Sequence, residues 1–79
     1  MLKPAQSRAA RALLDWSQEQ LAEASHLGLS TIRDFEKSRR TPSHNNLAAI
    51  VRALEDAGVE FIAQNGGGHG VRFSEPSSE

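Results

Sequence analysis

The chain has no cysteine and no long apolar run, and its charges nearly cancel. Without cysteine, no disulfide can staple the fold and no thiolate can hold a metal, which suits a reducing compartment. Its apolar stretches fall far short of the roughly 20 residues that cross a bilayer. The opening MLKPAQSRAARALL lacks the apolar centre of a secretory signal. The expectation is a cytoplasmic protein that does not engage membranes. A formal net charge of −1 argues against a non-specific coat on nucleic acid. His26, His44 and His69 share no ligand spacing, so no metal site is expected. No nucleophile stands beside a base, so neither catalysis nor a cofactor is expected. GGGHG lacks the Lys-Ser/Thr and the strand-then-helix setting of a phosphate loop, and reads as a turn.

What remains is one small domain of 79 residues. A core of that size supplies only about 3–5 kcal/mol, so close helix packing and oligomerisation are the remaining sources of stability. The charges are unevenly placed. From Met1 to Arg40, seven Lys/Arg stand against five acids, leaving +2; from Thr41 to Glu79, two stand against five, leaving −3. The densest basic run, KSRR, lies in the first half. Local sign, more than total charge, decides what a face can bind.

Four helical patterns precede a change of period. Pro4 suits a first helical turn, and Ala5, Ala9, Ala10 and Ala12 favour a helix to about Asp15, with Leu13, Leu14 and Trp16 as apolar bulk. Ser17 with Gln20 three residues on is a capping box, which starts a second helix over Gln18 to Ser25. His26-Leu27-Gly28 breaks it. A third helix spans Leu29 to Lys37, with Ile32 and Phe35 inward at i, i+3. Pro42-Ser43 announces a fourth from His44 to Ala57, whose Leu47, Ile50, Val51 and Leu54 form one stripe, with Gly58 as its stop. Val59-Glu60-Phe61 and Val71-Arg72-Phe73 then alternate on either side of QNGGGHG, which predicts two short strands joined by a Gly-rich turn. A hairpin this short is marginal alone and must pack on the helices or on another chain.

Breaking a good helix at HLGL and restarting it within about four residues makes geometric sense if the two segments have separate tasks. One can cross a DNA backbone while the next enters the major groove, which is the arrangement of a helix-turn-helix. Ala22 is small where two helices approach, and Leu27 and Ile32 can anchor the turn and the third helix. At this point the sequence resembles the lambda-repressor-like, Cro-type helix-turn-helix family. RALLDWSQEQLAEAS, LSTIRDFEKSRRTPS and LAAIVRALEDAGVEF carry the likeness, because S-Q-x-x-L-A, S-T-I-x-x-x-E and R-x-P-S follow in order at family spacing. Three positions depart from the pattern. His26 stands where Gly is usual at the turn, Ser7 where an aliphatic residue is usual, and Gly28 where Ser or Thr usually caps the third helix.

The resemblance implies a mostly α fold with a four-helix domain over residues 1–58. The alternating pattern puts a β-hairpin over 59–74 where the family has a fifth helix, and the polar composition of 75–79 predicts a disordered tail. The resemblance also implies that Leu29, Ser30, Thr31, Arg33 and Asp34 face the bases. Arg can read guanine bidentately, and Asp can accept from cytosine N4. Gln18, Lys37, Arg39 and Arg40 fall where the family touches phosphates. Arg11 and Glu36 fall where the family pairs side chains across helices, a structural role. Val59, Phe61, Val71 and Phe73 would give the ribbon one apolar face for a homodimer contact. The expected function is sequence-specific binding of double-stranded DNA by a transcriptional regulator, as a repressor. Two alternatives stand beside it: an antitoxin that binds a toxin partner and represses its own operon, and a protein-interaction module that binds no DNA.

Overall fold

The computed structural model describes residues 1–63 and 66–75. The turn expected at residues 64 and 65 and the tail expected beyond residue 75 lie outside them. Four helices come first: α1 (Pro4–Leu14), α2 (Gln18–Ser25), α3 (Leu29–Glu36) and α4 (His44–Asp56). An antiparallel hairpin follows, β1 (Val59–Ile62) with β2 (Gly70–Phe73). The fold is therefore a helix-turn-helix domain with a C-terminal ribbon.

Local chemistry sets the boundaries. Pro4 opens α1, where a missing N–H costs nothing. The Ser17 hydroxyl accepts from the Gln20 N–H at 3.1 Å. In return, the Gln20 side chain accepts from the Ser17 N–H at 2.8 Å. Helix α2 thus begins with a reciprocal cap. Ser43 caps α4 by accepting from the Asn46 N–H at 3.2 Å, which satisfies one of the donors left free at a helix start. Helices α1, α3 and α4 each end one residue before the sequence pattern implies, because Asp15, Lys37 and Ala57 serve as caps.

The break between α2 and α3 turns at His26, the position that the family pattern gives to Gly. His26 takes the left-handed conformation, with φ 60°. The Leu27 N–H bonds back to the Ala22 carbonyl at 3.0 Å, which closes the end of α2. Gly28 has an ordinary extended backbone (φ −71°) and caps α3 without any side-chain bond. Further on, Gly58 does need its freedom, because positive φ is open to glycine at little cost. Its φ of 113° turns the chain from α4 into β1. Its carbonyl accepts from the Ser74 N–H at 2.9 Å.

The core joins Leu21, Ile32, Ile50 and Leu54, none with any exposed surface, to Leu2, Ala10, Phe35, Leu47 and Val59. Ala22 is buried where α2 meets α3 and α4. Trp16 is half-buried at the core's margin with Leu14 and Leu27.

The ribbon corrects one expectation. Val59 pairs with Phe73 and Phe61 with Val71, so the four residues do share a face. That face packs on this chain's own α1 and α4. Val59 is 1% exposed and Phe61 and Val71 are half-buried against the core, so Val59 has no surface left for a second chain. Phe73 alone, 42% exposed, stays well open. The reason is energetic: a small domain gains more from covering apolar strands with its own helices than from leaving them bare until a partner arrives.

Candidate nucleic-acid interface

Helix α3 has two unlike sides. Ile32, Phe35 and Glu36 are buried and bind it to the domain. Ser30, Arg33, Asp34 and Lys37 recur at i+3 and i+4 and lie along the opposite side. Ser30, Arg33 and Lys37 are exposed and Asp34 is half-buried. Leu29 and Thr31 flank this face, each half-buried. The structure thus groups Ser30, Arg33 and Asp34 at the centre of one surface and sets Leu29 and Thr31 at its margins.

The basic loop continues that surface. The chain leaves α3 through Ser38, whose φ is 60°. The N–H groups of Arg39 and Arg40 both bond to the Asp34 carbonyl, at 2.8 and 3.3 Å, and this fixes the loop's backbone. Arg39 and Arg40 are exposed, and among the described residues Arg33, Lys37, Arg39 and Arg40 form no salt bridge. Arg40 lines a shallow hollow with Ser30, Thr31, Asp34 and Pro42, so loop and helix form one continuous surface.

Behind this face, Glu36 points inward with its side chain 1% exposed. An isolated carboxylate there would be costly, because burial disfavours its charged form. Arg11, Ser7 and Gln18 compensate it. Arg11 approaches side-on, its Nη2 2.7 Å from Oε1 and its Nε 3.0 Å from Oε2, a two-point contact stronger than a neutral hydrogen bond. The Ser7 hydroxyl donates to Oε2 at 2.6 Å, and Gln18 Nε2 donates to Oε1 at 3.1 Å. Arg8 reaches the Glu36 main-chain carbonyl and so ties α1 to the end of α3. Arg11 also donates to the Trp16 carbonyl at 3.0 Å. No buried side-chain polar atom among the described residues lacks a partner. Burial alone would raise the Glu36 carboxyl pKa; the bonds from Arg11, Ser7 and Gln18, with the Arg11 charge, outweigh it and hold the group below its ordinary value.

Around the Arg11–Glu36 pair that the resemblance implies, the network holds two roles that the sequence pattern left unread. Ser7 reads as a thin place in the core, yet it is fully buried and serves as a donor. Gln18, assigned to phosphate, spends one amide hydrogen on Glu36; its second hydrogen and the N–H groups opening α2 remain directed elsewhere. A signal did exist. Glu36 continues the inward set Ile32–Phe35 at i+3 and i+4, and an acid on an apolar face requires donors. Ser7 and Arg11, four apart on α1, supply two.

No described helix is long and apolar enough to cross a membrane. A helix-turn-helix family model matches residues 8–55, more than half of the chain. No curated protein matches it.

Proposed function

Because the chain belongs to the lambda-repressor-like helix-turn-helix family, a family of DNA-binding transcription regulators and not of enzymes, we propose that it is a sequence-specific repressor reading operator DNA with α3 in the major groove. One observation carries this reading. The outward side of α3 and the loop after it present Arg33, Lys37, Arg39 and Arg40 with no salt-bridge partner among the described residues, while the nearby Glu36 is turned inward and neutralised. A surface of that kind offers base-edge donors from Arg33 and phosphate contacts from Lys37, Arg39 and Arg40. Gln18 adds a phosphate contact from the start of α2, its amide held in orientation by Glu36. Occupancy of the operator then blocks transcription inside the cytoplasm.

Two copies act together in this reading, since helix-turn-helix proteins read paired half-sites about 34 Å apart. The ribbon packs on α1 and α4, and α3 on α1 and α2, so a contact made at the far end of β2 lies apart from the face that α3 presents. Phe73, at that end of β2, is the exposed apolar side chain such a contact would use.

Selection of bound duplexes from a random DNA pool tests the proposal. The expected product is a two-fold-related sequence with half-site centres one helical turn apart. Recovery of a pool with no shared sequence would count against specific recognition, and failure to retain duplex at low salt would leave a protein-interaction module.

A further inference from the structure

Resting on that DNA-binding reading, we propose that Lys3 is a further phosphate ligand, joined with Arg39 and Arg40 in one cationic hollow between the segment before α1 and the loop after α3. The hollow measures about 320 Å³ and is lined by Lys3, Ser38, Arg39 and Arg40 together with Leu2 and Phe35. The three cations come from segments more than thirty residues apart in sequence, and none of the lining side chains is acidic.

Both walls are held in place. Leu2 is 7% exposed and belongs to the core, and the Lys3 N–H donates to Gln6 Oε1 at 2.9 Å, so Lys3 projects from a fixed backbone and not from a loose arm. Across from it, the bonds from Arg39 and Arg40 to the Asp34 carbonyl fix the loop. An anion bound between prearranged cations orders only side chains, which lowers the entropy lost on binding. Three like charges facing one space also repel one another, and a phosphate relieves that repulsion. The hollow opens at the start of α1, whose first turn carries no acid, so the positive end of the helix adds to the attraction. Arg40 lines this hollow and also the one against Ser30 and Asp34, so a DNA strand lying along α3 reaches Lys3 through Arg40. The occupant is therefore a backbone phosphate flanking the bases that α3 reads.

Fluorescence anisotropy with a selected duplex and a random duplex, from about 50 to 200 mM salt, tests this. Lys3→Ala should weaken binding to both duplexes by the same factor and reduce the slope of log affinity against log salt by about 0.9, the value for one phosphate contact. Lys3→Arg should restore both. Lys3 is exposed, so the thermal midpoint of Lys3→Ala should match the parent. An unchanged slope, or a loss confined to the selected duplex, overturns the assignment of Lys3 while leaving the DNA reading intact. A parent chain without salt-dependent duplex binding overturns both. Tight, saturable binding of inorganic phosphate by the parent, with an unchanged DNA slope in Lys3→Ala, would make the hollow a site for a free anion and equally overturn the assignment.

Discussion

In the proposed DNA-binding reading, Arg33 is the side chain on α3 assigned to discriminate bases, being exposed and free of any salt bridge among the described residues. Truncation to Ala should cost about 1–3 kcal/mol on the preferred sequence and relax preference at one base pair, read by repeating the pool selection with the variant. Its neighbour Asp34 has a carbonyl already committed to the loop and a half-buried side chain, so its role is narrower. His26 presents the opposite case, a residue whose cost is conformational. It holds a left-handed backbone. An L-residue adopts that conformation at a cost of roughly 1–2 kcal/mol, and glycine adopts it freely. Glycine gives part of that back as chain entropy, so His26→Gly should raise stability by about 0.5–1 kcal/mol, seen as a higher urea midpoint with DNA affinity unchanged.

Among the described elements, α1 and α3 share the most side-chain hydrogen bonds. Arg11, Ser7 and Gln18 converge on one carboxylate, so each donor removed leaves charge in a place water cannot reach. Arg11→Met should lower stability by about 3–5 kcal/mol, the range for stranding one member of a buried pair. A double-mutant cycle with Glu36→Gln should give coupling well above the roughly 0.2–1 kcal/mol of an exposed pair. The exposed Arg72–Glu60 pair on the ribbon, 2.5 Å apart, provides the internal contrast. Solvent screens it, and its coupling should fall within that lower range.

At the scale of the molecule, the same carboxylate makes stability depend on pH. The folded value of Glu36 lies below its unfolded value of 4.5, so the ionised group favours the fold. That contribution is complete above the unfolded value and disappears as the pH falls through the folded one. Urea midpoints taken at pH 7 and at successive values below 4.5 should therefore drop more in the parent than in Glu36→Gln. Assembly is the other property of the whole. Cutting the chain after Gly58 would remove Val59 from the core and destabilise the helices along with the ribbon. Phe73→Glu leaves the core untouched and, in the proposed dimer, should shift sedimentation to monomer, with a loss of affinity for a paired site that a single half-site does not show. A variant that still sediments as a dimer would place the contact elsewhere.

The sequence by itself determined the order and kind of the elements. Helix periodicity, the Ser17–Gln20 box, Pro4 and Gly58 act over a turn or less of chain, and such local preferences are visible without a fold. The strands were legible for the same reason, from alternation on either side of a glycine-rich turn. Only the tertiary structure decided what each side chain faces. Ser7 turned from a gap into a donor because Glu36, 29 residues away, arrived beside it. The ribbon's apolar face turned inward because α1 and α4 were there to cover it. Lys3 met Arg39 and Arg40 because Leu2 anchors one end of the chain in a core that the loop after α3 also borders. Each of these outcomes depends on contacts between distant parts of the chain, and local pattern does not encode the partner.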